Sequence, residues 1–513
     1  MKVALIVPYS NSVFRNKPIK DSTQMAGFNE LAAYLEHKNI DVKGFDFLYD
    51  EMINYSDEID ALRDFQPEVV VVSATICLED LHFYKKHLSA LFVCPPILIG
   101  WGIGVLDYKM ALKTVKWLDY VIPTLNEIVA YELITEISKN GRAAHVRGVA
   151  WRLNQEVKYE KPCSCDLDEV YDVISPTAFI SKEDPTQAYI VASRGCWYKR
   201  CEFCTIGAAS ELYDGCGWIP RNIDHVVNNI EELYKCHGVT KIHFMDSEFI
   251  GPGARGKMRA QHFASRILEH GIQVRFIIDS RVTNVDEKTF KLLKEAGLAK
   301  VFLGAESGCN RTLSVLKKGQ TTDEIVAACK TLQKLHVDMR VGSLLADISS
   351  TLEDIKESLE FYKANRLINV LEVSGAGSIF SQIHLHSGTK LYTRYRESFD
   401  GAPQLLSEIP ATYQDSKVQL FIDLAETLHQ EVRKKQMAAH TMSENSTKKE
   451  WIKPYMLALR NKSLTILLTM IESIQKHNEE PSNVVTGLCS NSMAQELNRF
   501  DIYWEKRMRE AVV

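Results

Sequence analysis

The sequence predicts an α/β protein in three parts: a doubly wound N-terminal domain, a partial (β/α)6 barrel and a mostly helical C-terminal region. Three observations lead there. Short β-branched runs alternate with helical patterns over the first 150 residues, a second βα series starts near residue 186, and the strand signal fades after about residue 400.

In the first part, residues 3–7 read as a buried strand, residues 25–38 as a helix and residues 42–47 as the second strand. Val69-Val70-Val71-Val72 follows Pro67, residues 97–99 follow Pro95-Pro96, and Tyr120-Val121-Ile122 follows Asp119. Continuous β-branched runs of this length suit parallel strands covered on both faces. Such Rossmann-like sheets bind ligands beyond the carboxyl ends of their strands. Residues 1–150 form this domain, and the polar, Pro-containing residues 151–185 read as a linker.

Six strand candidates follow, at residues 188–192, 241–245, 274–278, 300–303, 339–345 and roughly 371–373. Amphipathic stretches lie between them at 226–234, 258–269, 287–295, 322–335 and 352–364. Residues 186–400 therefore predict a partial, TIM-like barrel with its functional groups at the strand C-termini. In residues 401–513, the segments 416–437 and 452–476 are helical in pattern, joined by the polar stretch 440–450.

A chain of 513 residues exceeds one ordinary domain, and 45% hydrophobic with 25% charged residues is a globular balance. A formal charge of −5 argues against broad nucleic-acid binding. The apolar run at the N-terminus stops at Pro8, too short for a secretory signal, and no stretch reaches bilayer length. The expected location is the cytoplasm, where twelve cysteines suggest thiols or metal ligands rather than disulfides.

One cysteine group demands chemistry: Arg194-Gly195-Cys196-Trp197-Tyr198-Lys199-Arg200-Cys201-Glu202-Phe203-Cys204, directly after a predicted strand. Three thiolates this close can hold three corners of a cubane iron–sulfur cluster and leave the fourth iron open. Arg194, Lys199 and Arg200 could moderate its negative charge. The alternative is a structural zinc site that adds Cys216, but only Cys201-x2-Cys204 is a conventional pair.

This segment resembles the radical S-adenosylmethionine (SAM) superfamily. The spacing is Cys-x4-Cys-x2-Cys where the family has Cys-x3-Cys-x2-Cys, yet the Ser-Arg-Gly-Cys and Cys-x-Phe-Cys contexts match. His243-Phe244-Met245-Asp246-Ser247-Glu248-Phe249 is similar to the family's second-strand segment, and Phe302-Leu303-Gly304-Ala305-Glu306-Ser307-Gly308 to its Gly-x-Glu-Ser-Gly. The resemblance implies a [4Fe–4S] cluster on Cys196, Cys201 and Cys204, with Asp246, Glu248, Glu306 and Ser307 contacting SAM. Lys318-Gly319-Gln320-Thr321 and the closing segment Gly388-Thr389-Lys390-Leu391-Tyr392 continue it.

A doubly wound domain before such a barrel resembles the cobalamin-binding subgroup. Its matching points are Ser73-Ala74-Thr75, the Gly100-Trp101-Gly102-Ile103-Gly104 run, and Thr124-Leu125-Asn126-Glu127. Small residues at strand ends let backbone amides approach a corrin side chain. The cobalamin contacts implied are Ser73, Ala74, Thr75, Gly100, Gly102, Gly104, Thr124 and Glu127. The subgroup's Gly-Glu-Gly-Glu turn is reduced here to its last acid. No Asp-x-His-x-x-Gly is present; Asp80-Leu81-His82 departs from it at Lys85, so cobalamin is expected without a histidine on cobalt. Ile76, Cys77 or Leu78 would then cover its lower face.

The implied activity is reductive cleavage of SAM and methylation of an unactivated carbon in a small metabolite or peptide. Electrons would come from a donor such as flavodoxin or ferredoxin. The alternatives are radical cyclisation, rearrangement or C–C bond formation without methyl transfer, or a non-catalytic iron–sulfur or zinc-binding protein.

Overall fold

In the computed structural model, residues 1–7, 26–47, 56–73, 80–143, 145–162, 165–181, 184–215, 217–371, 378–396, 408–410, 412–444, 451–477 and 480–512 are described. They form two compact units. The first comprises residues 1–279, 288–299 and 384–409, and the second residues 280–287, 300–383 and 410–513.

The first unit opens with a seven-stranded sheet. Its strands are β1 (Lys2–Val7), β2 (Asp41–Asp46), β3 (Val69–Ser73), β4 (Ile97–Trp101), β5 (Tyr120–Ile122), β6 (Ala150–Leu153) and β7 (Glu156–Tyr159). They lie in the order β2-β1-β3-β4-β5-β6-β7, with β1 to β5 parallel. Alternate side chains of a strand point to opposite faces, and the core follows that rule. Val69 and Val71 pack with Leu31, Leu35 and Leu133, while Val70 and Val72 pack with Leu62, Leu88 and Leu112. Both faces are covered, as the uniform valine run required. The order reverses between β1 and β3, so the crevice for a ligand lies at that switch, where Ser73 ends β3.

Residues 151–185 are more than a connection. β6 and β7 extend the sheet as an antiparallel hairpin, with Tyr120 opposite Trp151 and Val121 opposite Ala150. Asn154 and Gln155, at its tip, both have positive φ (48° and 69°). Two such residues make a turn that matches strand twist, but glycine usually marks it in a sequence. Without that glycine the hairpin was hidden.

The same unit holds β8 (Gln187–Ile190), β9 (Ser193–Gly195), β10 (Trp218–Pro220), β11 (Lys241–Phe244) and β12 (Arg275–Ser280). β8, β11 and β12 run parallel in that order, whereas β9 and β10 form an antiparallel pair.

In the second unit β13 (Leu298–Glu306) runs parallel to β14 (Asp338–Ser343), with a bulge between Gly304 and Glu306. Helices Thr322–Lys334 and Leu352–Ala364 each start with a capping box, Thr321 with Glu324 and Thr351 with Asp354. Of the six barrel strands expected, five are present as β8, β11, β12, β13 and β14; the sixth falls largely outside the described residues. β15 (His384–His386) and β16 (Glu408–Pro410) pair separately.

The C-terminal region is helical: Ser416–Glu444, Ile452–Lys476 and Ser482–Val512. The third helix was not anticipated. Its buried Val485, Cys489, Met493, Leu497, Phe500 and Trp504 recur every three or four residues, a helical period that the sequence carries. Tyr455 of the second helix meets Phe500 and Trp504 of the third at ring distances of 5.5 and 5.2 Å. No described helix is long and apolar enough to cross a membrane.

Candidate functional site

The three motif cysteines occupy one loop that leaves β9 and ends in the short helix Thr205–Ser210, and each is half-buried. Local bonds shape the loop. Cys196 N donates to Ser210 Oγ (3.1 Å), Cys204 N to the Cys201 carbonyl (3.3 Å), and Gly207 N to Cys204 Sγ (3.5 Å). Lys199 takes a positive φ of 44° and its Nζ donates to the Gly215 carbonyl at 2.8 Å. Gly195 is required: its φ is +82°, and a Cβ there would stand 2.1 Å from the Gly217 carbonyl. Glu202, within the loop, is buried and pairs with Arg394.

Asp246 and Glu248 lie beyond β11 and are buried. Asp246 accepts from Ala192 N (2.9 Å) and from the Ser193 hydroxyl. Burial pushes its carboxyl up to about 6, against the pull of these donors. Glu248 accepts from Trp197 Nε1 (2.9 Å), Gly251 N (2.7 Å) and Ile250 N (3.3 Å). Its carbonyl also receives Trp218 Nε1 at 3.1 Å. These two acids, expected at SAM, hold residues on either side of Cys196. Arg259 adds to the frame, donating to the Ala192 (2.6 Å) and Phe249 (3.1 Å) carbonyls.

At the carboxyl ends of the N-terminal strands, Ser73, Gly102 and Thr124 line a cavity of about 240 Å³. Arg194, Gly195 and Ser210 of the cysteine region line it too, so strand ends and loop share one space. Gly102 has a φ of +104° and donates its N–H to the Ile122 carbonyl at 3.1 Å. Gly104 sits buried in the turn Ile103–Val105. Gly100, also expected at cobalamin, is placed within the sheet. It lies inside β4, and a Cβ there would meet Leu118 Cδ2 at 3.3 Å, so it serves packing. Ala74, Thr75, Ile76, Cys77 and Leu78 fall outside the described residues, as does Cys216.

Glu127, expected at cobalamin, has a protein partner. It is fully buried and binds Arg194 through two hydrogen bonds, 2.8 and 3.0 Å. Burial opposes the charge on Arg194, but Glu127 more than offsets this and holds its pKa well above the ordinary value. Arg194 Nη1 also donates to the Leu125 carbonyl (2.6 Å), and Nη2 lies 3.4 Å from the Tyr171 hydroxyl. Tyr171 in turn donates to Glu30 Oε1 at 3.1 Å. Glu30 is buried on the cavity wall, and its Oε2 has no hydrogen-bond partner among the described residues.

In the second unit, Glu306 takes a φ of +68° at the bulge ending β13 and pairs with Lys318 Nζ at 2.7 Å. A Cβ at Gly304 would stand 2.8 Å from Glu306 Oε1 and 2.9 Å from Lys318 Nζ, so glycine makes room for that pair. Ser307 is buried; its Oγ lies 3.3 Å from Ser358 Oγ and accepts from Cys309 N at 3.1 Å.

Glu30, Tyr171, Trp197, Trp218 and Arg259 were not singled out from the sequence. Glu30 left a trace: it stands four residues before Tyr34 among the buried Phe28, Leu31 and Leu35 of one helix, where an acid needs a reason.

Residues 190–362 match the Radical SAM superfamily. The chain is 24% identical over 370 residues to the uncharacterized methyltransferase PH0819 of Pyrococcus horikoshii, covering 71% of this chain and 78% of that protein. It is 26% identical over 328 residues to 4′-phospho-dehydrooxetanocin synthase of Priestia megaterium, covering 58% of this chain but only 43% of the synthase. Among solved structures, the cobalamin-dependent SAM radical enzyme OxsB, with aqua-cobalamin and SAM bound, is similar over the whole of this chain and 81% of its own, at a TM-score of 0.75 and 16% identity. Residues 190–362 are thus similar to the radical SAM superfamily, and the chain shares the fold of the cobalamin-dependent SAM radical enzyme OxsB.

Proposed function

We propose that the chain is a cobalamin-dependent radical SAM methyltransferase acting on an unactivated carbon of a small metabolite or peptide. The observation that carries this reading is the shared cavity. Ser73, Gly102 and Thr124 at the strand ends and Arg194 and Gly195 before the first cysteine line the same space. A group held at the strand ends would therefore stand beside the cysteine loop.

The residues present suit the cofactors. Three half-buried thiols on one short loop are a donor set for iron and sulfide. A cavity at the strand ends with a buried carboxyl on its wall suits the rim of a corrin. When bound, cluster and SAM supply a 5′-deoxyadenosyl radical, and cobalamin carries the methyl group. The chain's own part is positional. Asp246 and Glu248 brace the loop, Arg194 and Glu127 fasten it to the helix after β5, and Glu306 supplies a carboxylate for the SAM ribose or amine. A flavodoxin or ferredoxin would provide electrons.

A second reading, radical cyclisation or rearrangement without methyl transfer, draws on the likeness to the dehydrooxetanocin synthase. One experiment addresses both. Anaerobic protein, reconstituted with iron, sulfide and hydroxocobalamin, should retain the corrin, form 5′-deoxyadenosine under reduction, and give a product one CH₂ heavier. A product of unchanged mass would favour the second reading. With Cys196, Cys201 and Cys204 all replaced by alanine, iron, sulfide and 5′-deoxyadenosine should be lost; retained iron and sulfide would refute the cluster assignment.

A further inference from the structure

The cavity wall contains one group that the reading above leaves without a task. Glu30 is 3% exposed, and its two oxygens differ: Oε1 receives the Tyr171 hydroxyl, while Oε2 has no side-chain or main-chain hydrogen-bond partner among the described residues. A buried polar oxygen without a hydrogen bond is uncommon in a folded chain and calls for a water, an ion or a ligand. Its place on the wall of the cavity favours the ligand.

We propose that Glu30 is a cofactor-binding residue, its Oε2 meeting a primary amide on the rim of the corrin. This rests on the cobalamin reading and extends it to a residue outside the strand-end turns. The chemistry selects a neutral polar group over a charged one. The charged and titratable groups that face Glu30 are Tyr171, Glu127 and Arg194. Arg194 is already engaged in two bonds by Glu127, which leaves Glu30 without a cation of its own. Burial, reinforced by the Glu127 charge, pushes its carboxyl up to about 8. At neutral pH it is mainly the acid, with Tyr171 on one oxygen and a proton to donate from the other. An amide carbonyl accepts that proton without bringing charge into the site. A cationic ligand would instead favour the carboxylate, so the two chemistries have opposite pH dependence.

The test uses the full chain, purified and reconstituted anaerobically, with hydroxocobalamin titrated by quenching of tryptophan fluorescence between pH 6.5 and 9.5. Wild type should bind and lose affinity as pH rises through about 8. Glu30→Gln keeps a donor and should bind within about threefold of wild type, with that pH dependence gone, whereas Glu30→Leu should weaken binding about tenfold. Iron content and far-ultraviolet dichroism show whether each variant is folded. Equal affinity in folded Glu30→Leu, or an unchanged pH profile in Glu30→Gln, would overturn the role of Glu30 while leaving the cobalamin reading intact. Affinity that rises with pH would overturn the amide contact in favour of a cationic group. If wild type binds no hydroxocobalamin at any pH, the cobalamin reading itself falls, and this proposal with it.

Discussion

Half-buried Arg194 and fully buried Glu127 form a two-pronged ion pair, Nη1 to Oε2 at 2.8 Å and Nη2 to Oε1 at 3.0 Å, between residues 67 positions apart. Arg194 stands two residues before Cys196, and Glu127 starts the helix that follows β5. The pair therefore fastens the cysteine loop to the ligand-binding end of the seven-stranded sheet.

Removing either partner leaves a buried charge uncompensated. Arg194→Ala and Glu127→Ala should each cost about 3–5 kcal/mol in denaturant unfolding, while replacing both by methionine should cost less than the sum of the single losses. Single losses below about 1 kcal/mol would mean that the pair holds nothing in place.

Glu248 accepts three hydrogen bonds, one of them from the indole of Trp197 beside the first cysteine. Glu248→Ala leaves buried donors unsatisfied, a loss of about 1–3 kcal/mol for each group stranded. The loop should loosen, so reconstituted iron per chain should fall and a chelator should remove it faster. Trp197→Phe should move both in the same direction by less. Unchanged iron content and chelation rate in Glu248→Ala would remove this acid from the support of the loop.

Glu306 is held at a strained backbone position by the room that Gly304 provides and by its bond to Lys318. With a carboxylate contact to SAM, Glu306→Ala should raise the SAM dissociation constant about tenfold without loss of cluster iron. Isothermal titration of the reconstituted protein measures it, and an unchanged constant would take Glu306 out of the site.

Glu30 also links stability to pH. Its carboxyl is raised from 4.5 in an unfolded chain to about 8 in the folded one. Between these values the native state keeps a proton that the unfolded state has released, so stability falls as pH rises through that range and levels off above about 8. The effect is on the order of a few kcal/mol, at roughly 1.4 kcal/mol per unit. Glu30→Gln removes it. Relative to wild type, the variant should gain in urea midpoint between pH 5.5 and 8.5; a constant difference would mean that Glu30 does not titrate in this way.

Much of the architecture was legible because it depends on local pattern. The valine run of β3 announced a strand covered on both faces, and the helix Leu352–Ala364 was expected at its observed bounds. The hairpin of β6 and β7 was not, since Asn154-Gln155 adopts a glycine-favouring turn without glycine. The helix Ser482–Val512 was legible by its spacing and was passed over.

The sequence alone determined which atoms can do chemistry: three thiols within nine residues after a strand are a candidate donor set for a metal centre. It also determined the parallel sheet, since continuous β-branched runs are stable only when both faces are buried. What only the tertiary structure decided is how the buried charges are used. Glu127 is engaged by Arg194 and Asp246 by Ala192 N and the Ser193 hydroxyl, and Glu30, marked in the sequence only as an acid among apolar helix positions, has an oxygen without a partner among the described residues. The reason is physical. A buried carboxylate takes whichever donors lie within about 3 Å, and those donors come from residues 53 to 141 positions away, a distance that no local pattern encodes.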